Sequence, residues 1–181
     1  MAHYEKTLEQ SYVFRGKIVS LRVDTAELEN QKTATREVVE HPGGVCVLPL
    51  DDNGNVTLVR QFRYPYMEEL LELPAGKRSP GEDPLECGKR ELTEETGLAA
   101  EKYTSLGELY PSPGYLNEVI YLYLATGLTH VGQKLDEDEF LDVCTMPLSE
   151  AVDMVLDGRI KDAKTGIALL KAFVQSGRDS R

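Results

Sequence analysis

The sequence predicts a mixed α/β fold, and three observations predict it. Runs of alternating or continuous apolar residues recur between residues 4 and 145 and read as strands. One helix interrupts them at Pro84–Thr96, and two more follow the last strand. Strict strand–helix–strand alternation is missing, so a doubly wound parallel sheet is not expected.

Taken in order, residues 4–15 and 17–28 alternate well enough for two strands joined at Arg15-Gly16, and Thr33–Glu40 reads as a third. The Pro42-Gly43-Gly44 break opens Val45–Leu50 (VCVLPL), apolar enough for a buried strand. Asp51-Asp52-Asn53-Gly54 carries the Asn-Gly hairpin signal, with Val56–Arg63 expected to return as its partner. Glu69–Leu73 is a further short strand, ended by Pro74-Ala75-Gly76. Asp83 can cap the helix that follows, Pro84 suits its first position and Gly97 its stop. Tyr103–Tyr110 and Val119–Thr126 read as strands separated by the Pro111–Tyr115 loop. A polar loop at Leu128–Asp138 then precedes a strand at Phe140–Thr145. Ser149 is the expected N-cap of a helix stopping at Gly158. Lys164–Gln175 forms the last helix, with Ile167, Leu170 and Val174 on its apolar face, leaving residues 177–181 as a frayed tail.

Composition bounds the function. A chain of 181 residues suits one main domain with a sizeable core. A net charge of −11 argues against nonspecific nucleic-acid or anionic-membrane binding, and an anionic substrate would need a divalent metal to approach. Cys46, Cys87 and Cys144 are odd in number and lack C-x-x-C spacing, so they read as reduced thiols of a cytoplasmic protein. Cys87 reads as a small packing residue. No secretory signal and no apolar run of membrane-spanning length is visible. His3, His41 and His130 are scattered and form no metal spacing. Neither a G-x-S-x-G elbow nor a G-x-x-x-x-G-K-[ST] phosphate loop is present.

The informative stretch is Gly76–Leu98 (GKRSPGEDPLECGKRELTEETGL). Glu91, Glu94 and Glu95 stand at i, i+3 and i+4, so three carboxylates share one helix face, with Leu85 and Leu92 turned toward the core. Like charges at this spacing cost roughly 0.2–0.5 kcal/mol per pair, which a bound cation would offset. Oxygen donors without nearby His or Cys favour Mg2+, with Mn2+ as the alternative, over zinc. The stretch follows G-x5-E-x7-R-E-U-x-E-E-x-G-U at every position, where U is bulky and aliphatic. Seven fixed identities arise by chance at about 1 in 10^8 per start position.

On these residues the chain resembles the Nudix hydrolase family. The resemblance implies a Nudix-type α/β/α sandwich with a mixed sheet at residues 41–176, behind an N-terminal antiparallel β appendage at residues 1–40. It implies that Glu91 and Glu95 ligate metal together with the Ala75 carbonyl, and that Glu94 binds metal or a metal-bound water and is catalytic. It also implies that Gly76, Glu82, Arg90 and Gly97 are structural in the motif, with Glu82 and Arg90 fixing the loop on the helix. In such chemistry divalent ions neutralise the diphosphate and acidify the attacking water. Asp136-Glu137-Asp138-Glu139 by itself reads as a solvated loop. The resemblance makes Glu137 the candidate base and Glu139 a further metal ligand.

Two features resemble the ADP-ribose pyrophosphatase branch. Pro113-Gly114 stands fifteen residues past Leu98, although the pair also reads simply as a turn. The segment Thr35–His41 resembles N-terminal strands that two subunits exchange, implying a homodimer. The same resemblance places Arg36 and Glu37 at the adenine end of the substrate and Arg63 at a phosphate or ribose, where a guanidinium fork can donate paired hydrogen bonds. The chain contains no tryptophan, so stacking on a base must come from Arg36, Tyr or Phe. The expected activity is Mg2+-dependent hydrolysis of ADP-ribose to AMP and ribose 5-phosphate. The alternatives are another small-molecule nucleoside diphosphate sugar such as GDP-mannose, a dinucleotide, or a noncatalytic ADP-ribose sensor.

Overall fold

The run Gly44–Pro49 explains the layering, because all six of its residues are buried. A strand flanked on both faces must be apolar throughout, and its alternation then only decides which layer each side chain enters. Val45 and Val47 join Cys87, Leu92 and Ala125 in one cluster. Cys46 and Leu48 join Leu58, Leu73, Leu122 and Leu169 in the other. The computed structural model describes residues 3–135 and 139–179. They fall into two units: residues up to Gly43 with Tyr110–Val119, and Gly44–Leu109 with Ile120 onward.

In the first unit, β1 (Lys6–Arg15), β2 (Ser20–Glu27) and β3 (Thr33–Glu40) form an antiparallel sheet in that order. Gly16 donates to the Val19 carbonyl at 2.9 Å to close the first hairpin. The Tyr110–Val119 segment is tied to β3: Val39 N–H donates to the Tyr115 carbonyl at 2.7 Å, and Asn117 N–H to the Val39 carbonyl at 3.1 Å. Every residue of β1 is exposed, including Leu8, Tyr12, Val13 and Phe14.

In the second unit β4 (Gly44–Pro49) lies parallel to β9 (Ile120–His130) and antiparallel to β7 (Ala75–Lys77), and β8 (Leu98–Leu109) pairs with β9. A second sheet has the order β10 (Leu141–Pro147), β5 (Asn55–Arg63), β6 (Glu68–Glu72). The Asp51–Gly54 turn forms as expected, with the Asp51 carboxylate accepting from the Asn53 and Asn55 N–H groups. The strands on either side do not form a hairpin ladder, however. β5 pairs with β10 and β6, and only an isolated bridge joins Leu50 to Val56. The reason is that β4 already has partners on both edges. The strand β7 was not expected from the sequence, and β8 starts directly after the first helix rather than at Tyr103.

The helix α1 (Pro84–Thr96) begins and ends where its signals place it. Asp83 Oδ1 accepts from Leu85 and Glu86 N–H at 2.9 and 3.2 Å, and Gly97 closes it at φ 71°. The helix α2 (Leu148–Leu156) has Pro147 at its N-cap rather than Ser149, with no side-chain cap. The helix α3 (Ala163–Asp179) continues past the expected end at Gln175. Asp162 caps it, accepting from Thr165 N–H at 3.0 Å. Thr165 is fully buried, and its Oγ1 accepts from the Leu73 N–H at 2.8 Å, fastening the start of α3 to the end of β6. Thr165→Val keeps the shape but orphans that N–H. It is expected to lower stability by about 1–3 kcal/mol, read from urea unfolding.

Candidate active site

The stripe Cys87, Glu91, Glu95 repeats every four residues along α1, and all three side chains are buried. Two of the three acids therefore enter the packed side of the helix with Leu92, where periodicity alone separates them from it. Glu91 is 7% and Glu95 3% exposed, while Glu94 is half-buried. This placement depends on β7. Ala75 N–H donates to Glu95 Oε2 at 2.9 Å. At Gly76 a Cβ would come within 1.9–2.3 Å of the Glu91 carboxylate, so only glycine leaves room for that acid.

Arg90 gathers the rest. Its Nε and Nη2 donate to the two Glu82 oxygens at 3.0 and 3.3 Å, which ties the loop before α1 to the helix. Its Nη1 lies 2.8 Å from both Glu91 Oε1 and Glu94 Oε2. Arg90, together with the Ser79 N–H, holds the Glu82 carboxyl down at about 2. Burial pushes the Glu91 carboxyl up despite Arg90. Burial also pushes Glu95 up to about 8, a rise opposed by the Ala75 N–H and increased by Glu91 and Glu139.

The segment after β9 is pinned to the end of α1. Gln133 Nε2 donates to the Glu95 carbonyl at 2.6 Å, and Lys134 N–H to the Glu94 carbonyl at 3.1 Å. It leads to Glu139, whose charge acts on both Glu91 and Glu95. Glu137 lies outside the described residues.

Arg63, at the end of β5, joins this unit's polar cluster. Its Nε and Nη2 each donate to Glu72 at 2.6 Å, and its charge acts on Glu95. The other expected substrate residues belong to the first unit. Arg36 pairs with Glu5 through two donors, and Glu37, Pro113 and Gly114 are exposed.

The donor set is all hard oxygen, and two of its acids are desolvated, which fits a hard divalent cation. Among the described residues no three acids, histidines or cysteines already stand as a ready cage. The positive charge of Arg90 offsets Glu91 and Glu94.

A NUDIX domain match covers residues 40–168, and a match to the nucleoside diphosphate sugar hydrolase N-terminal domain covers residues 5–39. The chain belongs to the Nudix family and is a Nudix hydrolase, a class generally dependent on divalent metal. It is 42% identical over 167 residues to an ADP-ribose pyrophosphatase of Bacillus subtilis (strain 168), covering 91% of this chain and 90% of that protein. The same figures hold for a methanol dehydrogenase activator of Bacillus methanolicus. A solved ADP compounds hydrolase superposes with TM-score 0.85 at 24% identity, over 98% of this chain and 96% of that one, which shows the shared fold. Among the described residues no helix is long and apolar enough to cross a membrane.

Sequence reasoning missed Glu72, Asp162 and Lys164, which gather at Arg63. Glu72 is 1% exposed and also accepts from Lys164 Nζ at 2.5 Å, while Lys164 Nζ lies 2.9 Å from Asp162. The available signal was an acid inside an otherwise apolar strand end (LLEL), which needs a cationic partner when buried.

The raised Glu95 sets the sign of a pH effect. Its unfolded value is about 4.3. In chelator-treated protein its contribution is full below that pH and is lost as pH rises through about 8. Glu95→Gln is expected to flatten this fall in melting temperature between pH 5 and 9. An unchanged pH slope in the variant would count against Glu95 as its source.

Proposed function

We propose that the chain is a homodimeric, Mg2+-dependent pyrophosphatase that hydrolyses ADP-ribose to AMP and ribose 5-phosphate. The observation that carries the reading is the pair of desolvated carboxylates, Glu91 and Glu95, set against β7 beside Glu94 on a helix with the full family motif. The relatedness to an ADP-ribose pyrophosphatase over nine-tenths of both chains supports the substrate.

Glu91 and Glu95, with the Ala75 carbonyl and Glu139, would hold the ions. A bound divalent cation supplies neutralising charge to the diphosphate oxygens and a lowered pKa for water. The helix fixes the separation of the two acids, and Ala75 N–H orients Glu95. Glu94, less buried, would bind an ion or orient the water bound to it. Glu137 is assigned as the base that takes the proton from that water as its oxygen bonds to one phosphorus, the bridging P–O bond breaks, and the other product, AMP or ribose 5-phosphate, leaves with the bridging oxygen. Glu82 holds Arg90, which keeps the loop on the helix. Arg63 presents donors to the diphosphate, and Arg36 and Glu37 act at the adenine end across the dimer, with Pro113 and Gly114 shaping the adjoining loop. The exposed Tyr4, Leu8, Tyr12, Val13 and Phe14 support the N-terminal sheet as the dimer contact. The three cysteines, free of disulfides, support a cytoplasmic setting.

With Mg2+, ADP-ribose is expected to outrun GDP-mannose and NADH in a phosphatase-coupled assay, and mass spectrometry of products formed in H2-18O identifies the phosphorus attacked. Equal rates on all three would defeat the assignment to ADP-ribose. Glu94→Gln and Glu137→Gln are each expected to lower turnover by about 10^2–10^4. Wild-type turnover in either variant would remove that residue from its role.

A further inference from the structure

Arg63 and Glu72 lie on neighbouring strands but are not cross-strand partners. The register sets Arg63 opposite Glu68 and Glu72 opposite Val59. The guanidinium therefore reaches back along the sheet to meet Glu72, and both of its contacts there are 2.6 Å. A side chain drawn that far from its own register is held by its target. Glu72 in turn is nearly inaccessible and immobilised from behind. Lys164 Nζ bonds the same Oε2 that accepts from Arg63 Nη2, Asp162 holds Lys164, and Thr165 fixes the backbone at Leu73. The two acids and two bases balance in charge, so the network places no net charge in the core.

The contact uses the Nε–Nη2 edge of Arg63. Among the described residues the Nη1 edge makes no hydrogen bond, and the side chain remains 37% exposed. β5, which carries Arg63 at its end, packs against α1, and the Arg63 charge acts on Glu95.

We propose that Glu72, backed by Lys164 and Asp162, is a positioning residue that fixes the Arg63 guanidinium so that its outer edge meets the substrate diphosphate beside the α1 carboxylates. The inference rests on the proposed function, which gives Arg63 a diphosphate to bind. A guanidinium fixed in advance loses little freedom when the substrate arrives, and a displacement of about 1 Å can cost 10^2-fold in rate.

A double-mutant cycle tests it. Glu72→Gln keeps the size and removes the charge. It is expected to lower kcat/KM for ADP-ribose by about 10–100-fold in the wild-type background. In the Arg63→Ala background it should change kcat/KM by no more than about twofold, because the group it positions is gone. Melting temperature should fall in both backgrounds, so a purely structural role would move stability without the nonadditive kinetics. Glu72→Asp, which keeps the charge but shortens the reach, carries the cycle if Glu72→Gln fails to fold. Equal kinetic losses in both backgrounds, or none, would overturn the inference while leaving the function standing. If the wild type leaves ADP-ribose intact, the substrate assignment fails and the cycle is read from calorimetric affinity for ADP with Mg2+. The same nonadditivity there sustains the inference, and absence of ADP binding overturns it.

Discussion

Removing a carboxylate from water costs several kcal/mol unless something inside the protein answers its charge, and the second unit does this three times within one region. Glu72 receives two cationic side chains. Glu91 shares one guanidinium with Glu82 and Glu94. Glu95 receives a single backbone N–H, which is the weakest compensation for the deepest of the helix acids. The pushed-up Glu95 carboxyl is the direct consequence of that shortfall. The place in the fold with the least positive charge per buried acid is thus where an added cation gains most.

The three-residue strand β7 makes this arrangement possible. It completes the mixed sheet through pairing with Gly44–Cys46. Its first N–H orients Glu95, and its glycine leaves the space that Glu91 fills. A longer strand or a residue with a Cβ at Gly76 would close the gap between sheet and helix. The Glu82–Arg90 pair then secures the other end of the intervening loop, so both ends of residues 75–84 are fixed to α1.

The acid spacing was legible because helical periodicity is local: 91, 94 and 95 must share a side wherever the helix sits. Both caps of α1 were legible for the same reason. Burial of the acids was not, since it depends on β7, and a Pro-Ala-Gly-Lys run carries no strand pattern. The turn at Asp51–Gly54 was readable from its own side chains, yet the destination of β5 was not. Pairing is decided by which edges remain open, and β9, arriving more than seventy residues later, takes one edge of β4. Glu72 and Lys164 are separated by 92 positions, and neither spacing nor composition joins them. Glu137 rests on the resemblance of its acidic loop to the family's, and by itself that run reads only as a solvated loop.

The network at Glu72 has an energetic peculiarity that bears on its role. Replacing buried ion pairs with apolar residues of similar volume is often neutral or stabilising, so three charges gathered around one buried carboxylate are a poor device for stability. Leu or Met at these positions would have been apolar replacements of comparable volume. What apolar residues cannot supply is direction: a guanidinium needs a fork of acceptors to set its plane, and the acceptor needs its own fixed partners to serve as a reference. The surplus of specificity over stability lies at the most exposed member of the network, Arg63, whose charge also acts on Glu95.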